Sequence, residues 1–437
     1  MLVEPIVVIG GGLAGCEAAW QIAKRGGKVV LFEMKPHRFS PAHHSPHLAE
    51  IVCSNSFKSE SLLNGPGVLK EEINLLDSLI LKMARETRVP AGDSLAVDRE
   101  AFSQRVTQTL EELQNIEIVR KEVTTLSQEE MTILATGPLT SESLSREIRR
   151  LTGDRHLFFY DAISPIVTSD SVDFGKAFEA SRYQKGGKDY INLPMDEETY
   201  DRFVDALNRA ERVSFRDFEQ KYFFEGCLPI EELAARGKNT LAFGPLKPVG
   251  LIDPRTGKRP FAVVQLRQED QFETLYNIVG FQTRLKHDEQ NRVFRMIPGL
   301  EKAEFVRLGS IHRNTFIDSP RLLKESLQLN GHPQLFFAGQ MTGVEGYMES
   351  TAMGLLAGIN ALRVVRGNGP VAPPPTTAIG ALVRYITRPQ ASPFQPMNIN
   401  FGLFPPLGGR ARGREKRRLL AERAFEEMEK WIRTCQV

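Results

Sequence analysis

Ile6-Val-Val-Ile-Gly10-Gly-Gly-Leu-Ala-Gly15, read with the residues that follow it as far as Glu33, decides the fold. Ile6–Ile9 is a short apolar run of the kind that forms a buried strand. The helical pattern after Gly15 continues to about Arg25, and Lys28-Val-Val-Leu-Phe-Glu33 is a second apolar run ending in an acid. The order strand, glycine turn, helix, strand, acid is that of a mononucleotide-binding βαβ unit. Gly10 permits the tight turn, Gly12 lets the backbone approach a pyrophosphate, and Gly15 lets the helix pack close to the strand. Gly11, Leu13 and Ala14 complete the turn, where the helix N-terminus offers free N–H groups and a positive dipole end to phosphates. Glu33 is placed to accept from a ribose hydroxyl.

The bulk properties narrow the class. The chain has 437 residues, room for two or three domains at about 150 residues each. Hydrophobic content of 41% and charged content of 25% are ordinary for a soluble enzyme. No apolar run approaches the ~20 residues of a membrane helix. Glu4 interrupts the N-terminal stretch, which therefore does not read as a secretory signal, and the expected compartment is the cytoplasm. The four cysteines, Cys16, Cys53, Cys227 and Cys435, form no C-x-x-C pair and suggest neither a zinc site nor a disulfide framework. Cys16 reads as packing and Cys435 as incidental. The net charge of +2 is uninformative, but Arg410, Arg412, Arg414, Lys416, Arg417 and Arg418 concentrate positive charge near the C-terminus. That run is either a solvated helix face or a contact for a polyanion.

Residues 34–60 read as a long loop, with Pro36, Pro41, Pro46 and four histidines, ending in Cys53-Ser-Asn-Ser-Phe-Lys-Ser. Long loops on α/β scaffolds are disproportionately functional. The histidines lack metal-ligand spacing, and no metal is expected. Leu69, Ile73, Leu76, Ile80 and Met83 recur at helical spacing and predict one helix over 68–88, with a second opening at Asp98. Met131-Thr-Ile-Leu-Ala-Thr-Gly137 predicts another buried strand whose glycine ending suits the adenosine half of a flavin cofactor. From 158 to 307 the βαβ rhythm is lost and no second G-x-G-x-x-G appears, so a nicotinamide cofactor has no Rossmann site of its own. Gln334-Leu-Phe-Phe-Ala-Gly339-Gln-Met-Thr-Gly343 then predicts a strand with a glycine ending, followed by a small-residue-rich helix over 349–366.

A late strand–glycine–helix closing on an N-terminal Rossmann unit is typical of FAD-binding two-dinucleotide folds. The expected architecture is therefore α/β, a Rossmann-like FAD-binding domain with a smaller inserted α+β domain. Residues 1–157 form its first part, 158–307 the insert, 308–369 the return segment, and 370–437 a linker and basic helix packed on the core. Gly137, Gly339, Gln340 and Gly343 join the first glycine turn as expected cofactor contacts.

Five further residues carry candidate chemistry. Cys227 precedes Pro229, which suits the first turn of a helix, so its thiol would sit where the dipole favours thiolate. It reads equally as a buried structural cysteine. Cys53 lies among histidines that could assist proton transfer, or is an unreactive loop thiol. His312 could stack on a planar ligand, or is a satisfied loop histidine. Arg284 could meet an anionic group, and Tyr347 lies where a flavin-facing loop is expected.

Taken together, Gly10–Gly15, Cys53-Ser-Asn-Ser-Phe-Lys, Met296-Ile-Pro-Gly-Leu, His312-Arg-Asn-Thr-Phe-Ile and Gly339-Gln-Met-Thr-Gly-Val-Glu-Gly-Tyr347 resemble the folate- and FAD-dependent tRNA (uracil-5-)-methyltransferase family nearly end to end. The resemblance implies methylation of the T-loop uridine of tRNA to ribothymidine, with FAD bound. The carbon donor would be 5,10-methylenetetrahydrofolate and the reductant NAD(P)H. It implies Cys227 as nucleophile at C6, Cys53 as the second active-site cysteine near the C5 proton, and His312 and Tyr347 as groups stacking on folate and flavin rings. Arg284 is carried over with them as a substrate contact. It implies no obligate protein partner. The related wobble-uridine modifiers of the MnmG/GidA type share the glycine motifs but are longer at the C-terminus. An FAD-linked oxidoreductase of small molecules, or a non-catalytic flavin-binding RNA scaffold, would need neither cysteine.

Overall fold

A computed structural model describes residues 4–127, 129–153, 156–184, 187–213, 228–389, 394–409 and 411–437. The apolar runs at the N-terminus form β1 (Ile6–Ile9) and β2 (Val29–Glu33), joined by α1 (Leu13–Ala23). They lie inside a six-stranded sheet ordered Gln328–Leu329, His332–Phe337, Thr132–Leu134, β1, β2, Ile116–Arg120. Every neighbouring pair is parallel except the hairpin formed by the first two. β1 is the point where the chain order reverses. The path leaves it toward β2 on one side, and later strands add on the other. Ligands bind at such a switch, beyond the carboxyl ends of the strands, and Gly10 follows β1 there.

The return helix begins at Tyr347, slightly earlier than its sequence pattern predicts, and runs to Val365 against α1. Small residues make the approach possible: a side chain on Gly354 would lie 2.1 Å from the Ala14 carbonyl oxygen, and one on Gly358 would lie 2.7 Å from that of Ala18. The single helix expected over 68–88 is two, Gly65–Leu75 and Leu79–Glu86. Asp77 takes a left-handed turn (φ +55°) between them, and Ser78 caps the second by accepting from the Leu81 N–H. Apolar spacing runs unbroken across that turn, which is why periodicity misses it. The segment after residue 370 is more than a linker and basic helix. Ala378–Thr387 is a buried helix ahead of the terminal Gly413–Cys435.

The insert is built on a second six-stranded sheet, wholly antiparallel, ordered Phe178–Glu179, Tyr190–Met195, Ala262–Gln268, Leu275–Ile278, Ile166–Thr168, Phe305–Arg307. Helix Glu197–Arg209, whose Asp196 accepts from the Thr199 N–H as expected of a cap, packs Tyr200, Phe203 and Leu207 into its core. A two-stranded ribbon, His156–Ile163 against Ser310–Ile317, carries the chain into and out of this unit. The expected boundary at 158 thus falls inside the ribbon. Among the described residues no helix is long and apolar enough to cross a membrane.

Candidate active site

At the carboxyl end of β1 the glycine turn opens a cleft of about 1150 Å³ including its mouth. Gly10 adopts φ +105°, and a side chain there would lie 2.6 Å from the Ala135 carbonyl oxygen. At Gly15 a Cβ would sit 1.8 Å from the Gly10 oxygen, so strand and helix touch backbone to backbone. A Cβ at Gly12 meets nothing within 4 Å. That open side faces the cleft, and α1 has neither a side-chain cap nor an acid in its first turn. The first N–H groups of α1 are therefore offered to whatever enters. Glu33 is buried at the cleft and already accepts from the Gly11 N–H (2.8 Å, Oε2) and the Lys35 N–H (2.9 Å, Oε1). A carboxylate has about four acceptor sites, so capacity remains for a ribose hydroxyl. Gly11, Leu13, Ala14, Gly137, Gly339 and Gln340 also line the cleft. Gly343 does not: its missing side chain makes room for the Phe394 ring.

Tyr347, the first residue of the return helix, lines the same cleft and ties it to the loop of Cys53. The Cys53 N–H donates to the Tyr347 hydroxyl at 3.0 Å. The tyrosine ring also packs at 5.3 Å on Phe57, from the strand that ends the loop. Three arginines hold the loop from below. Arg99 donates to the carbonyls of Ile51 (2.8 Å) and Cys53 (2.9 Å), and Arg307 to those of Val52 and Cys53 (both 3.1 Å). Arg267 donates to Asn55 Oδ1 (2.8 Å) and Ser54 Oγ (2.7 Å). Arg99 comes from the first domain, and the other two from the insert sheet or its edge. Burial, with the Arg99 charge adding, pushes Arg307 down to about 10, and burial lowers Arg267 as well. Burial also opposes the charge on Arg99, but its ion pair with Glu269 outweighs that and holds it above its ordinary value. The Cys53 thiol thus lies in a locally positive setting, beside a small cavity of about 300 Å³ shared with Arg267, Asn277, Gly280 and Gln282.

Residues 5–369 match the family model described as glucose inhibited division protein A. A protein of Geobacter sulfurreducens named methylenetetrahydrofolate–tRNA-(uracil-5-)-methyltransferase TrmFO is 60% identical, covering 98% of this chain and 99% of its own. One of the same name from Moorella thermoacetica is 55% identical over 97% of each. The chain belongs to the TrmFO family. Its fold is also that of Aquifex aeolicus GidA, with a TM-score of 0.70 at 18% identity over 98% of this chain and 73% of that one.

In this TrmFO-family chain the cleft glycines, Glu33, Tyr347 and Cys53 come together in one region. Cys227 lies outside the described residues. Pro229, two positions on, is the N-cap of a helix of only five residues, Ile230–Ala234, and the Ile230 N–H donates to the carbonyl of Gln282 at the rim of the Cys53 cavity. His312 sits on the outgoing ribbon strand, paired in register with Asp161, and its side chain is outside the described set. Arg284 is not brought to the cleft. It is buried in the insert, where it is ion-paired with Glu232 and donates to the Val213 carbonyl (3.1 Å).

Sequence reading missed Arg99, Arg267 and Arg307, which come from three separate segments. It also missed the buried Lys35–Glu50 pair (3.0 Å). Glu50 accepts from the His44 and Ser45 N–H groups, and Lys35 donates to the His47 carbonyl, so this pair folds the histidine loop. His43 lines the cleft, bonds Ser40, and is held below its ordinary value by burial, with the Lys35 charge adding. Among the described residues no three His, Cys, Asp or Glu side chains gather as a metal site. Cys16 is buried against the Gly11 carbonyl, and burial raises its thiol far above its ordinary value, as suits an inert packing residue.

Proposed function

We propose that this chain methylates C5 of the T-loop uridine of tRNA, with methylenetetrahydrofolate as carbon donor, FAD in the Gly10–Glu33 cleft and NAD(P)H as the source of reducing equivalents. The observation that carries the reading is the hydrogen bond from the Cys53 N–H to Tyr347, which joins a thiol-bearing loop directly to the wall of a dinucleotide cleft.

The residues fit an FAD. Gly12 leaves the phosphate approach open, the uncapped α1 terminus supplies donors, and Glu33 retains acceptor capacity for a ribose. FAD, when bound, supplies the redox chemistry by which a one-carbon unit leaves the enzyme at the level of a methyl group. The chain supplies the rest. Uracil C5 is a poor nucleophile until a thiolate adds to C6. We assign that addition to Cys227, whose sulfur is expelled only after the C5 proton has departed and the transferred carbon has been reduced, restoring the C5–C6 double bond. Cys53 is the assigned partner at the C5 proton, with its backbone fixed by Tyr347, Arg99 and Arg307. A stacked base cannot present C6, so the uridine must leave its stack in the tRNA elbow to enter the site. A tRNA substrate also sets the work in the cytoplasm.

The test is to incubate purified protein with unmodified tRNA, labelled methylenetetrahydrofolate and NADPH, and then digest the RNA. Label in T-loop ribothymidine is expected, and Cys227→Ala should abolish it while FAD stays bound. Label at the wobble base, or no transfer while bound flavin remains reducible, would sink the reading.

A further inference from the structure

The cavity beside Cys53 holds an unexplained group. Asn277, on the insert strand Leu275–Ile278, is 3% exposed, and among the described residues its side-chain Nδ2 has no hydrogen-bond partner. A buried amide donor without an acceptor is costly, and native structures keep few of them. The same cavity is lined by Cys53 and Ser54 of the loop, by Ser164, and by Arg267, Asn277 and Gln282 of the insert. It therefore lies between the loop fixed by Tyr347 and the insert sheet.

We infer that this cavity is the pocket for the flipped target base, and that Asn277 reads it as uracil. The inference rests on the function proposed above. The chemistry fits the orphan. Uracil presents the O4 acceptor beside the N3–H donor, and a carboxamide answers both at once, its NH2 donating to O4 and its oxygen accepting from N3–H. The cavity is much smaller than the cofactor cleft, which suits a single pyrimidine ring better than a large ligand. A base entering there meets Cys53 on one wall. The rim at Gln282 is tied to Ile230, three residues beyond the proposed nucleophile in sequence. Arg267, the register partner of Asn277 on the neighbouring strand, is held in place by Asn55 and Ser54, so the wall beside Asn277 is fixed before the base arrives.

The experiment uses the full-length holoprotein and T-arm-containing tRNA transcripts with uridine or cytidine at the target position. Asn277→Asp keeps the shape of the side chain but removes its donor. It should lower kcat/KM for methyl transfer about a hundred-fold and cut the preference for uridine over cytidine in competitive binding about ten-fold. FAD content and NADPH-driven flavin reduction should stay at wild-type levels, which a merely structural loss would not allow. A second measurement needs no variant. A transcript carrying the target uridine should slow alkylation of Cys53 by iodoacetamide in the wild-type protein, and one with an abasic target should not. If wild type neither methylates nor binds tRNA, the function itself falls. If wild type does both, but the variant matches it within two-fold and both transcripts protect Cys53 equally, the base pocket lies elsewhere.

Discussion

Two glycines of the same turn, Gly12 and Gly15, would respond differently to one added methyl group. At Gly15 the new Cβ would stand 1.8 Å from the Gly10 carbonyl oxygen, which is backbone and cannot step aside. Gly15→Ala should therefore separate α1 from β1 and lower the melting temperature of the protein with or without cofactor. At Gly12 the new Cβ meets no atom of the described residues within 4 Å. Gly12→Ala should leave the cofactor-stripped protein within about 0.5 kcal/mol of wild type while weakening FAD binding by about ten-fold or more. Thermal melts of the stripped protein, paired with FAD titration, separate the two effects. A Gly12→Ala protein that binds FAD like wild type would mean that the pyrophosphate does not pass this residue. Both glycines were legible in the sequence because a βαβ turn restricts residue type at fixed, local spacings. Arg307 was not, since nothing in its neighbours along the chain says that it will donate to carbonyls some 250 positions earlier.

The same contrast between local and distant constraint governs the elements. Helices announced by their own caps, such as Arg99–Glu111 behind Asp98, follow the sequence pattern. Helices whose own caps, Ser78 and Thr377, are backed by a carboxylate from a distant segment do not. Glu17 of α1 accepts from the Ser78 hydroxyl (2.7 Å) and the Ile80 N–H (3.1 Å), fixing the start of Leu79–Glu86. Glu72 accepts from the N–H groups of Ala378 (2.6 Å) and Ile379 (2.9 Å), fixing the start of Ala378–Thr387 from more than 300 residues away. By sequence alone Glu72 is one more charge on a helix, and Pro370–Pro375 suggests a linker. Burial pushes the Glu72 carboxyl up to about 8, although both backbone bonds favour its charged form. The folded chain then holds this proton more tightly than the unfolded chain. The resulting stability is complete below the ordinary value of 4.5 and is lost as pH rises through about 8. Glu72→Gln does not titrate. The margin in melting temperature of wild type over Glu72→Gln should therefore shrink between about pH 5 and about pH 8. A margin that holds constant or widens would show that the carboxylate is already ionised in the folded state.

At the scale of the whole molecule, two units meet at the site, and Arg99 is where their stability and their chemistry cross. The ribbon carries the chain into the insert and out of it, but the Arg99–Glu269 pair and the bonds from Arg267 and Arg307 hold the insert against the Cys53 loop. Glu269 is buried and Arg99 nearly so, which makes each an expensive charge without the other. Arg99→Met alone should cost about 3–5 kcal/mol in urea unfolding, because it strands the Glu269 carboxylate. Adding Glu269→Met removes the stranded charge, and the double variant should recover most of that loss. Activity should not follow. The carbonyls of Ile51 and Cys53 have still lost the guanidinium that held them, so methyl transfer by the double variant should stay depressed while its fold and flavin content return. Recovery of both together would mean that the ion pair serves only to join the two units. Recovery of stability alone would mean that the junction between them also sets the position of the Cys53 backbone, and that the insert takes part in catalysis by closing the wall on which this thiol stands.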